Sequence, residues 1–102
     1  MSFILALKEF NKKNYNGYKP LSFESTAQTN GKVLVVLLSP PHYTGMIGSG
    51  GNLSEAQEDA ARKMLEMWRE HFDADSGVTI EWEKLEKIAG AKIEISKADE
   101  DE

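Results

Sequence analysis

Apolar side chains near the N-terminus recur three and four positions apart: Phe3, Leu7 and Phe10, with Ile4 beside them. That spacing, with Ser2 as a capping hydroxyl, predicts a helix over residues 2–13. Residues 14–20, punctuated by Gly17 and Pro20, predict a break. Asn30-Gly31 predicts a hairpin with a two-residue type I′ turn, because both positions tolerate positive φ. Such a turn pairs Thr29 with Lys32, Ala27 with Leu34, Ser25 with Val36 and Phe23 with Leu38. The first arm, residues 21–29, alternates as an amphipathic strand. The second, residues 32–38, is apolar on both faces, the pattern of a central strand.

Ser39 to Asn52 has neither period. It holds four of the eight glycines, two of the three prolines and one of the two histidines. It reads as a long connector, the kind of segment where function concentrates. Beyond it, Ala56, Ala60, Ala61, Met64, Leu65, Trp68 and Phe72 form a wide apolar stripe, predicting a helix over 53–72. Asn52 with Glu55, or Ser54 with Gln57, matches a capping box. Glu58–Arg62 and Asp59–Lys63 are favourably ordered i,i+4 pairs. Asp73 to Gly77 reads as the helix stop. Val78, Ile80 and Trp82 alternate and predict a strand over 78–82. Leu85, Ile88 and Ala89 predict a short helix over 83–89, a continued strand being the alternative. After Gly90, residues 92–96 alternate as a last strand.

The expected order is α-β-β-α-β-(α)-β. This is an α+β domain over residues 1–96: one mixed or antiparallel sheet of about four strands, an N-terminal helix and one long amphipathic helix. Residues 97–102 read as an acidic, disordered tail.

A length of 102 residues suits one domain. The absence of cysteine excludes a disulfide scaffold, thiolate metal sites and a cysteine nucleophile, and fits a reducing compartment. The N-terminus has no basic n-region and its apolar run is short for a signal peptide. No stretch has the length of a membrane span, so a cytoplasmic protein without membrane association is expected. The net charge of −5 is uneven. Residues 1–20 carry four lysines against one glutamate, and residues 21–102 carry eight bases against sixteen acids. The acidic body argues against non-specific duplex binding.

The glycine-rich stretch fails the phosphate motifs. Gly45 and Gly50 have P-loop spacing, but Gly51 and Asn52 stand where lysine and Ser/Thr are required. Gly48-Ser49-Gly50 opens a dinucleotide fingerprint that ends on Leu53. Ile47 denies Ser49 a nucleophile elbow. Asp73-x-Asp75-x-Gly77 resembles a calcium loop with its glycine displaced and Lys84 at the bidentate position. His42 and His71 have no metal-ligand spacing. No catalytic set, metal site or cofactor is expected, and the protein reads as non-enzymatic.

The leading expectation is a small protein-binding domain of inhibitor, immunity or adaptor type. Contacts would come from His42, Tyr43, Met46 and Ile47, with Glu55, Glu58 and Asp59 steering a basic partner. The alternative is single-stranded nucleic-acid binding through Lys12, Lys13, Tyr15, Tyr18 and Lys19, where bases and aromatics interleave. A further alternative is nucleotide or anion binding at the glycine loop 45–51, ahead of a helix N-terminus. Exposed sheet edges also allow a homodimer.

Overall fold

Ser2 opens the first helix as expected. In the computed structural model, which describes residues 2–40, 42–74 and 80–94, helix α1 spans Phe3–Asn14. The Ser2 hydroxyl accepts from the N–H groups of Ile4 and Leu5. The cap is reinforced from outside the helix. Glu58 accepts from Phe3 N–H at 2.6 Å and from the Ser2 hydroxyl. Ala6, Leu7 and Phe10 are buried.

The hairpin forms where Asn30-Gly31 requires it. Strands β1 (Ser22–Thr29) and β2 (Lys32–Ser39) flank a turn with φ +54° at Asn30 and +76° at Gly31. The expected register survives for only two pairs, Thr29 with Lys32 and Gln28 with Val33. A bulge between Ser25 and Gln28 then shifts it, so Ser25 faces Val35, Glu24 faces Val36 and Phe23 faces Leu37. The shift turns Phe23 toward the core and Glu24 away from it, which the unbulged register would reverse. β2 is central, as predicted. Its two faces differ: Val35 and Leu37 are fully buried, while Leu34, Val36 and Leu38 are half-buried.

The largest correction concerns residues 39–52. The connector is not a long loop. Its middle is strand β3 (Thr44–Gly50), antiparallel to β2, with Gly48 opposite Val35 and Met46 opposite Leu37. Only residues 40–43 separate β2 from β3, closed by Tyr43 N–H donating to Ser39 C=O at 2.9 Å with Tyr43 at φ +56°. The glycines serve packing. A Cβ at Gly48 would lie 2.3 Å from the Ala56 carbonyl oxygen and 2.4 Å from the Ala60 nitrogen. A side chain there would hold the following helix off the sheet.

That helix, α2, spans Leu53–Ala74 and is capped by Asn52, the first of the two expected caps: Glu55 N–H donates to Asn52 Oδ1, while the Glu55 carboxylate reaches one residue past the box position and accepts from Gly51 N–H. It runs back along β3 in matched steps. Gly51, Ser49 and Ile47 contact Glu55, Asp59 and Lys63 in turn. Two strand residues rise about 6.6 Å and four helical residues about 6 Å, so the two ladders stay in phase. Ala56, Ala60, Ala61 and Leu65 are fully buried, with Met64 and Trp68 nearly so. Of the two expected ion pairs, Asp59–Lys63 forms at 3.2 Å. Arg62 pairs instead with Asp59 at 2.5 Å and Glu66 at 3.0 Å, because Glu58 is turned toward α1.

Helix α3 (Trp82–Ala89) matches the expected short helix and ends on Gly90 at φ +79°. The expected strand over 78–82 is corrected where it is described: Ile80 and Glu81 are irregular and Trp82 starts α3. The apolar alternation there reflects core contacts rather than pairing, since Ile80 and Trp82 both pack on the core. Trp82 stacks on Phe10 at 5.9 Å and under Arg69 at 5.6 Å. Lys92–Glu94 form no strand, and Ile93 is instead tied to Glu86 and Arg69. Residues 75–79 and 95–102, including parts of both expected strands and the expected tail, lie outside the described residues. The described order is therefore α-β-β-β-α-α, with a three-stranded antiparallel sheet β1-β2-β3. α2 packs on β2 and β3, and α1 on α2 and α3.

Candidate functional site

A groove of about 420 Å³ opens where the C-terminal half of α2 passes the β2–β3 turn. Met64, Met67, Trp68 and His71 line it from α2. Pro40, His42 and Met46 line it from the turn and β3, and Tyr15 from the end of α1. Its volume falls within the usual range for ligand sites. The floor is rigid. Trp68 lies between Phe10 and Phe72, with ring centroids 5.9 and 5.7 Å away, and Tyr15 and His71 pack on it at 5.6 Å. The rim is soft, with Met67 41% exposed. Methionine side chains adapt to varied apolar partners.

One lining residue carries a buried polar atom with no hydrogen-bond partner among the described residues. Trp68 is 9% exposed, and its indole N–H makes no hydrogen bond among the described residues. An unmatched buried donor costs free energy until an acceptor arrives. Tyr15 is also affected by its setting: burial, then the neighbouring Tyr18, pushes its phenol above the ordinary value.

The groove offers little acid–base chemistry. It contains two imidazoles and no carboxylate among its lining residues. The Ser39 hydroxyl is buried and accepts from Asn11 Nδ2 at 3.0 Å. Among the described residues no group of three or more His, Asp or Glu side chains converges to hold a metal ion.

The candidate contact residues do not form one patch. His42 and Met46 share the groove. Tyr43 donates its hydroxyl to the Lys19 carbonyl at 2.9 Å. Ile47, 58% exposed, lies opposite Val36 on the other face of the sheet, beside half-buried Leu34 and Leu38. Glu55, Glu58 and Asp59 sit at the far end of α2 and hold internal bonds, to Gly51, to α1 and to Ser49 respectively. Burial pushes the Asp59 carboxyl up. The Ser49 N–H, Arg62 and Lys63 outweigh it and hold the pKa below the ordinary carboxylate value.

The residues sequence reasoning missed are Tyr15, Met64, Met67, Trp68 and His71 as groove walls. Their helical spacing identified Met64 and Trp68 only as core. The expected glycine loop is β3, and its Ser49 and Gly51 N–H groups are occupied by carboxylates rather than free to cradle an anion. The basic segment divides. Lys12, Tyr15, Tyr18 and Lys19 line one groove together with Lys8 and Asn11. Lys13 faces elsewhere, pairing with Glu81 at 3.1 Å and holding that carboxyl below its ordinary pKa. Among the described residues, no helix is long and apolar enough to cross a membrane. No protein-family model matches this chain, and no curated protein matches it in sequence.

Proposed function

We propose that the protein is a small non-enzymatic binding module that takes an apolar segment of a protein partner in the methionine–tryptophan groove. The observation that supports this most is a groove walled in part by Met46, Met64 and Met67 beside the packed rings around Trp68. An apolar side chain of that segment fills the space between the methionine walls. A packed aromatic floor under adaptable methionines is a setting that suits peptide anchors. Glu55, Glu58 and Asp59 do not line this groove. The reading therefore rests on the groove and not on acidic steering of a basic partner.

Selection of displayed random peptides on the wild-type protein tests it. Selected peptides are expected to carry an apolar anchor, to shift the tryptophan emission, and to lose binding on Met67→Glu and on Met46→Glu. Ile47→Ala, on the opposite face, is expected to leave binding intact. Peptides that bind both glutamate variants as well as wild type overturn the reading.

A further inference from the structure

Beside the methionine groove, and sharing Tyr15 and Pro40 with it, lies a groove of about 390 Å³ with opposite character. Lys8 and Lys12 stand on exposed positions of α1, and Lys19 on the segment that follows. None of the three makes an ion pair among the described residues, whereas Lys13, Lys63, Lys84, Arg62 and Arg69 all do. Three unneutralised ammonium groups around one concavity, on a chain of net charge −5, favour an anionic ligand. One further feature narrows the anion. Tyr18 is 51% exposed and braced edge-on by Tyr15 at 5.7 Å, so it offers a free, fixed ring face. The groove thus combines cations with a stacking ring. A carboxylate-rich peptide satisfies the first alone through its side chains.

We propose that this groove binds a nucleoside phosphate, with phosphate oxygens on Lys8, Lys12 and Lys19 and the base stacked on Tyr18. The volume admits one nucleotide unit, free or as part of a single strand. A duplex demands a broader basic footprint than three lysines. The site adjoins the methionine groove at Tyr15 and Pro40, but neither proposal depends on the other.

Fluorescence anisotropy with a labelled eight-nucleotide single strand, competed by adenosine 5′-monophosphate, tests it. With three phosphate contacts the log–log salt slope is expected to be about −2, an affinity loss of about 20-fold between 50 and 200 mM salt. Lys12→Ala is expected to reduce the slope to about −1.4. Tyr18→Ala is expected to weaken binding about tenfold at any salt, from lost stacking. Lys13→Ala, whose side chain faces Glu81, is expected to bind as wild type. These positions are exposed, so circular dichroism is expected to show every variant folded. Tighter binding of the strand than of the mononucleotide identifies a strand site, and equal affinity identifies a free-nucleotide site. The proposal is overturned by absence of binding to both probes at low salt, or by equal effects of Lys12→Ala and Lys13→Ala. It is also overturned if a polyglutamate peptide displaces the strand from wild type and Tyr18→Ala alike.

Discussion

Replacing Gly48 with alanine adds one methyl group at the position where, of the described glycines, an added Cβ meets its neighbours most closely. Its Cβ would stand 2.3 Å from the Ala56 carbonyl oxygen, 2.4 Å from the Ala60 nitrogen and 2.7 Å from the Ala60 Cβ. Two of these three neighbours are helix backbone, which cannot rotate aside. Restoring ordinary contact requires α2 and β3 to separate by about 1 Å, a gap that forfeits a quarter to half of the dispersion energy of the atoms facing it. Those atoms belong to fully buried residues, including Val35, Ala56 and Ala60. The cost therefore falls at or above the top of the usual overpacking range, about 3 kcal/mol. For a domain of this size that lowers Tm by on the order of 15 °C. Urea denaturation followed by circular dichroism measures the difference directly. Gly51→Ala is the control: its added Cβ meets only the flexible Glu55 carboxylate at 3.2 Å, so a change below about 0.5 kcal/mol is expected. If Gly48→Ala is as neutral as Gly51→Ala, these glycines are a hinge rather than a packing surface, and the account of β3 fails. Ala60→Gly in the Gly48→Ala background is expected to rescue only part of the loss, because it leaves both backbone clashes in place.

Glu58→Ala removes the acceptor for Phe3 N–H and the Ser2 hydroxyl, and is expected to cost about 1–2 kcal/mol, with faster amide exchange confined to the first turn of α1. Asp59 has a folded pKa below its unfolded value, so its stabilisation is present above an unfolded pKa of about 3.9 and is lost as pH falls through the folded one. The stability gap between wild type and Asp59→Asn is therefore expected to be constant near neutrality and to shrink below about pH 4; a gap unchanged down to pH 3 contradicts the assignment. Gly31→Ala, at φ +76° with open space around it, isolates backbone strain and is expected to cost about 1 kcal/mol in calorimetry without altering the β2–β3 pairing seen by NMR.

Where local chemistry decided the outcome, it was legible. Ser2, Asn30-Gly31, the Asn52–Glu55 box and Gly90 each act within a few residues of themselves, and α1, the hairpin turn, α2 and α3 appear where these signals put them. The hairpin register failed because a bulge adds a residue without any turn signal, and its justification lies in where Phe23 meets Leu37. β3 failed for a related reason. Glycine depletes strand signals because it packs nothing itself, yet here its lack of a side chain is what the opposing helix requires. The information was present as a pair: small residues two apart at Gly48 and Gly50, and four apart at Ala56 and Ala60. Read singly, the first looked like a linker and the second like ordinary helix. Ile80 and Trp82 show the converse, an alternating pattern produced by packing on Phe10 and its neighbours rather than by strand pairing.

The methionine groove follows from the same ladder. Along β3 the inward positions run Gly50, Gly48, Met46, and along α2 the facing positions run Ala56, Ala60, Met64. Over the first two steps nothing larger than a methyl separates the elements, and the helix lies against the strand backbone. At the third step both partners become methionine, and two long side chains occupy the space that a glycine and an alanine left closed. The helix is pinned at its N-terminal half, so its C-terminal half stands off from the turn, and Met67, Trp68 and His71 face Pro40 and His42 across an open cleft. The site is thus where a small-residue contact ends. A substitution that lifts the pinned half, such as Gly48→Ala, is therefore expected to alter peptide binding at Met46 and Met67 although it touches neither. Unchanged affinity in the folded fraction of that variant would mean that the groove is held by the aromatic cluster around Phe10 alone.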